Sequence, residues 1–303
     1  MINRNLIRIR VVQMVYSWYQ NTNKDLTKAE KELLFSLQKS YDLYHYFLYL
    51  PIQLTDLYED RVESKKNKFL PTEEDLNPNT NLLDNKFIIQ LKSNKQLQKF
   101  LQDNPWNKDN SEGFVKKLLD VILESETYQK YAAIAAPSYE DDKEFWRKIF
   151  RLYISGNLDL DELLEDESIY WNDDIEIVQT FVIKTIKKFK QENGENQPLL
   201  PMFKNDEDKA FALTLFTETI MNEDKYRDLI KKHTDKWDFE RIAFMDLVIM
   251  QVAISEIDSF VSIPTNVTLN EYIEMAKFYS TSKSGTFVNG ILDSIVNELK
   301  QMN

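Results

Sequence analysis

Residues 268–300 read TLNEYIEMAKFYSTSKSGTFVNGILDSIVNELK, and this stretch decides the fold class. In its second half Phe287, Val288, Ile291, Leu292, Ile295, Val296 and Leu299 recur at i, i+1, i+4 and i+5, the apolar stripe of a helix over about 285–300. In its first half Thr268-x-x-Glu271, just beyond Pro264, has the form of a capping box and predicts a helix over about 268–280. Between the two lies STSKSG (280–285), a small polar loop bearing Lys283. The last helix starts behind that loop and offers it unpaired backbone N–H groups and the positive end of a helix dipole. Gly290 sits inside the helix, where it costs about 1 kcal/mol against alanine, which implies that another backbone comes close there.

Working outward, the same 3.6-residue period recurs along the chain. The pattern predicts helices at about 206–222, 224–233 and 238–257 ahead of the terminal pair. A linker precedes them at 192–204, marked by Gly194, Pro198 and Pro201. Upstream, helices are expected at about 82–103, 112–132, 139–155 and 173–191, with Gly156 and Asn157 as a stop and Asn172 as a cap. Residues 61–81 read as a loop. Thr27-x-x-Glu30 looks like a capping box opening an aromatic-rich helix that Pro51 should kink or break. Residues 3–20 read as one helix, with Arg10, Gln13 and Ser17 on a polar stripe and Ile7, Val11, Val15 and Trp18 on the far side. No segment alternates like a strand and no internal repeat stands out. The expected fold class is all-α.

Composition narrows the function. The chain has 303 residues, five glycines, eight prolines and no cysteine. So few glycines leave little for sheet turns or a glycine-rich nucleotide loop. Without cysteine there is no disulfide, thiolate metal site or thiol nucleophile, which fits a reducing cytoplasm. No apolar run approaches the roughly 18 residues that span a bilayer. Arg8 and Arg10 interrupt the apolar start, so it reads as a folded helix and not a signal peptide. His45 and His233 stand alone and give no metal-ligand spacing. No metal, cofactor or catalytic constellation is expected.

Net charge is −12 and unevenly spread. The first acid is Asp25, so Arg4, Arg8 and Arg10 stand unopposed in the opening helix. Residues 159–176 (DLDELLEDESIYWNDDIE) hold nine acids and no base, a solvated face or a dock for a basic partner. Asp246, in an apolar run, reads as a buried ion pair or an interface carboxylate.

Several of these strings together resemble the NusB family of transcription antitermination factors. VQMVYSWYQ (12–20) is similar to the family's first helix. WDFERIAFMDLVIMQVAISEI (237–257) and IPTNVTLNEYIEMAKFYSTSKSGTFVNGILDSI (263–295) follow its order: a helix, a proline turn, Asn-Glu, Ala-Lys-Phe, a Lys-Ser loop and Phe-Val-Asn-Gly-x-Leu-Asp. The resemblance implies a domain of two perpendicular three-helix bundles, made here of 1–22 plus 205–303, with 23–204 as a helical insertion. It also implies binding of single-stranded boxA-type RNA together with the ribosomal protein NusE, inside an RNA polymerase antitermination complex that reads ribosomal RNA operons. No catalysis and no cofactor are implied. A protein-only scaffold in ribosome biogenesis is the alternative. An RNA-methyltransferase reading fails for want of cysteine and of a glycine-rich cofactor fold.

The candidate RNA-binding residues are Arg4, Arg8, Arg10, Tyr16, Lys277, Lys283, Ser284 and Asn289. The bases among them are expected to form one discontinuous phosphate-binding patch. Tyr16 is either a ring that stacks on a base or a core tyrosine. Lys283 and Ser284 have the physics of an anion site, a lysine beside free N–H groups.

Overall fold

The computed structural model describes residues 1–104, 108–234 and 239–302, apart from the side chains of 108–110 and 300–302. In chain order the helices are α1 (Arg4–Gln20), α2 (Leu26–Lys66), α3 (Glu73–Leu76), α4 (Lys86–Lys92), α5 (Lys95–Asp103), α6 (Lys108–Glu124), α7 (Glu126–Ala132), α8 (Tyr139–Ile149), α9 (Leu158–Glu167), α10 (Ile175–Lys188), α11 (Asp206–Met221), α12 (Glu223–His233), α13 (Phe244–Ser259), α14 (Thr265–Tyr279) and α15 (Ser284–Met302). A short π-helical stretch, Phe150–Ile154, continues α8. Among the described residues there is no sheet, only an isolated parallel bridge between Ile2 and Phe203. The fold is all-α. None of the described helices is long and apolar enough to cross a membrane.

Two compact units divide the chain. The terminal unit joins Ile2–Gln38 to Met202–Asn303, and the central unit holds Lys39–Pro201 with Met1. In the terminal unit α13 is the axis. Its residues from Asp246 to Glu256 are all buried, the mark of a helix surrounded on every side. Helices α1, α11, α12, α14 and α15 all pack on it. Asn3 starts α1 by accepting the Leu6 backbone N–H at 2.9 Å, which aims Leu6, Ile7, Val11 and Val15 into that core.

In the central unit α8 packs against α4, α7 and α10. Trp146 and Phe150 are fully enclosed there, and Phe47 of α2 meets Phe150 edge-on at 5.7 Å. His45 is buried as well, stacked on Phe100 at 4.1 Å with Nδ1 against the Tyr41 carbonyl. Burial pushes its imidazole down to about 4, against the pull of the Tyr41 carbonyl. The folded form therefore refuses a proton that the unfolded chain accepts below about pH 6.5. Stability falls as pH drops from 6.5 to 4, by up to about 3 kcal/mol from this group. Acid titrations of wild type and His45→Phe should diverge in that window. Parallel curves would refute the assignment.

Several local expectations change. The start of α2 is capped by Asp25, whose Oδ1 accepts the Lys28 N–H at 3.1 Å; Thr27 lies inside the helix and Glu30 instead accepts from Thr217. Thr268 is likewise internal, because α14 begins at Thr265, with the extended Pro264 at the capping position just before it. Pro51 does not end α2, and the Thr55 hydroxyl bonds the Pro51 carbonyl within a continuous helix. Two expected helices are each split, at Ser93–Asn94 and at Ser125, where side chains of Asn94 and Ser125 cap new starts. The acidic block contains a helix, α9, opened by the Asn157 side chain. Trp237 and Asp238, which begin one resembling string, lie outside the described residues.

Candidate nucleic-acid interface

The loop between α14 and α15 is held by one serine. Ser284 is buried, donates to Asp246 Oδ2 at 2.8 Å, and accepts the Thr281 N–H at 3.1 Å. That bond ties the N-terminus of α15 to the first turn of α13. Lys283, one residue earlier, is then turned outward and exposed. Beside it, Arg241 precedes α13 and is exposed too. Among the described residues neither cation has an acidic partner.

These groups border a groove of about 1130 Å³ within the terminal unit. Its wall includes Ile242, Ala243, Phe287 and Ile291, with Asp246 at depth. On another side, Lys232 is paired with Glu298 at 2.7 Å, and His233 lies between Ser294 at 2.7 Å and Glu298 at 3.0 Å. Gly290 lines the groove, and a Cβ built on it meets no atom within 4 Å. The close approach expected at Gly290 is therefore absent among the described residues. Gly285 is the crowded glycine instead, and its neighbour is a side chain: an added Cβ would lie 2.5 Å from Lys277 Cγ.

The expected basic patch does not assemble as one surface. The Lys277 side chain lies against Gly285, two residues from Lys283, and is engaged with Glu274. Asn289 is exposed on α15. Arg4 is half-exposed, 3.4 Å from Asp208 and with its guanidinium 5.0 Å over the Phe211 ring.

Arg8 and Arg10 are a correction: both are only 4% exposed. Arg8 donates twice to Glu256, both bonds 2.7 Å, and Glu256 has no exposed surface. Thr268 and Tyr272 donate to the same carboxylate at 2.8 and 2.9 Å. Burial alone would lower the Arg8 guanidinium, but the bond and charge of Glu256 hold it above its ordinary value. Arg10 bonds Gln13 at 2.9 Å. The physical reason is the width of the apolar face of α1: it is covered by α11 and α13, so its arginines face carboxylates or neighbours instead of water. Tyr16 is partly buried and sits edge-on to Phe244 at 5.1 Å.

Sequence reasoning missed Arg241 and, although it read Asp246 as a buried ion pair or an interface carboxylate, it missed that the partner is Ser284. The signal for Arg241 was its place just ahead of the apolar run of α13. The Asp246–Ser284 bond spans 38 residues, and no local pattern marks it.

The model of the NusB family matches residues 175–297, from α10 into α15 and without α1. The chain is 36% identical over 124 residues to the transcription antitermination protein NusB of Salinibacter ruber, covering 39% of this chain and 78% of that protein. It is 41% identical over 118 residues to the protein of the same name from Thermodesulfovibrio yellowstonii, covering 39% and 74%. With the Chloroherpeton thalassium protein, again named transcription antitermination protein NusB, identity is 42% over 92 residues, 30% of this chain and 44% of that one. No solved structure matches.

Proposed function

The chain belongs to the NusB family, and from that premise we propose that it serves in transcription antitermination and ribosomal-RNA processing by binding boxA-type single-stranded RNA together with the ribosomal protein NusE. The family consists of non-catalytic regulators, and this member is not an enzyme. Residues 1–22 and 205–303 form the binding domain in this reading, 23–204 are an insertion, and the complex works on RNA polymerase in the cytoplasm.

One observation carries the reading: two cations, Lys283 and Arg241, neither with an acidic partner among the described residues, beside the N-terminus of the 19-residue α15. Free N–H groups and unpaired bases make a phosphate site by ordinary electrostatics. At a net charge of −12 the chain repels RNA at long range, so its own affinity is modest and a basic partner protein raises it.

Anisotropy titration of a boxA-type oligonucleotide, with and without NusE, tests this. With two or three phosphate contacts, log affinity should fall against log salt with a slope of about −1.5 to −2. Lys283→Ala and Arg241→Ala should each make the slope shallower by about 0.7 and weaken all sequences alike. An unchanged slope in the double variant would favour a protein-only scaffold, the reading that buried Arg8 and Arg10 support.

A further inference from the structure

The groove between α13 and α15 contains an internal contradiction in charge. Its rim carries Lys283 and Arg241, each without an acidic partner among the described residues, whereas Asp246 at its depth is 4% exposed. Asp246 Oδ2 accepts from Ser284 at 2.8 Å, and Oδ1 has no hydrogen-bond partner among the described residues. An uncompensated carboxylate oxygen away from water is costly and asks for a donor. A bare anion drawn to the rim would be repelled by Asp246. A lysine or arginine of a protein partner would be repelled by the rim. A nucleotide satisfies both, with phosphate outside and base N–H groups inside, against the apolar wall of Ile242, Phe287 and Ile291.

We infer that this groove is a base pocket for one unstacked guanine, with Asp246 as the residue that reads it. Guanine alone among the four bases offers two adjacent N–H donors, N1–H and the N2 amine, on its Watson–Crick edge. A carboxylate with one oxygen free and a spare lone pair on the other accepts both once the Asp246 side chain turns that oxygen, closed off from solvent in this structure, toward the groove. Gly290 leaves the entrance open, since nothing lies within 4 Å of where its Cβ would be. The inference rests on the RNA-binding reading for its source of guanine, while the pocket itself also fits a free guanine nucleotide.

The test uses the full chain and a single-stranded RNA with one guanine, against the same RNA with inosine, which lacks only the N2 amine. Wild type should prefer guanine about tenfold at fixed salt. Asp246→Asn keeps the shape and the Ser284 bond, and should erase the preference. Gly290→Leu places a better helix former where there is room and blocks the pocket, so it too should erase the preference without loss of folding. Equal binding of the two RNAs by wild type overturns the pocket yet leaves RNA binding standing, as does a preference that survives Gly290→Leu. If neither RNA binds, the RNA reading fails and guanosine monophosphate decides the pocket alone. Amide shifts across 283–291 that vanish in Gly290→Leu would then establish a free-nucleotide site, and their absence overturns the inference.

Discussion

Removal of residues 1–22 should unfold the terminal unit. Leu6, Ile7, Val11 and Val15 of α1 have no exposed surface, and Val12 has 2%. Losing a buried aliphatic side chain costs about 2–5 kcal/mol where the site cannot collapse. Five at once exceed the roughly 5–15 kcal/mol by which a domain is stable. The faces of α11 and α13 that α1 covers would be bared to water, and Glu256 would lose the guanidinium that balances it. Hydrogen exchange reads this directly. Amides of α13, α14 and α15 should be strongly protected in the full chain and exchange freely in 23–303. Undiminished protection in the truncated chain would show that the terminal unit closes without its first helix.

This dependence was partly legible in the sequence. The apolar face of α1, spanning Ile7, Val11 and Val15, is too wide for an isolated helix and requires a partner. The stripe from Phe287 to Leu299 similarly announced α15, and the run Leu247–Ile254, apolar except for Gln251, lies in a predicted helix that the structure encloses on all sides. These signals are periodic, and burial is what periodicity reports. Caps were less legible. Thr27 and Thr268 have the right spacing to a glutamate, but Asp25 and Pro264 lie just upstream and start each helix first. The site was least legible. An arginine in α1 looks the same in sequence whether water or Glu256 faces it, since the deciding carboxylate is 248 residues away. The lysine loop could be read because a lysine before a helix start is a local arrangement. The groove beside it could not, because its walls come from three separate helices and Asp246 gains its meaning only from Ser284.

Arg8→Ala should lower stability by about 3–5 kcal/mol, the cost of leaving a buried charge unbalanced. Glu256 accepts four hydrogen bonds, two from Arg8 and one each from Thr268 and Tyr272, and none of these groups reaches bulk water. Without the guanidinium, two neutral hydroxyls must solvate a carboxylate deep in the core. In a domain of this size such a loss lowers Tm by about 10 °C or more. Glu256→Ala should cost a similar amount by stranding the arginine. The double variant Arg8→Met, Glu256→Leu should recover most of the loss, because an apolar pair of similar volume needs no solvation. The cycle of wild type, Arg8→Met, Glu256→Leu and the double variant gives the coupling, and a coupling near zero would refute the pair. It also separates stability from function. RNA affinity measured well below the lowered Tm should be nearly unchanged in Arg8→Met, Glu256→Leu, since neither side chain reaches the surface. If that variant folds and melts like wild type but has lost RNA, Arg8 touches RNA after all, and the helix must open away from Glu256 to let it do so.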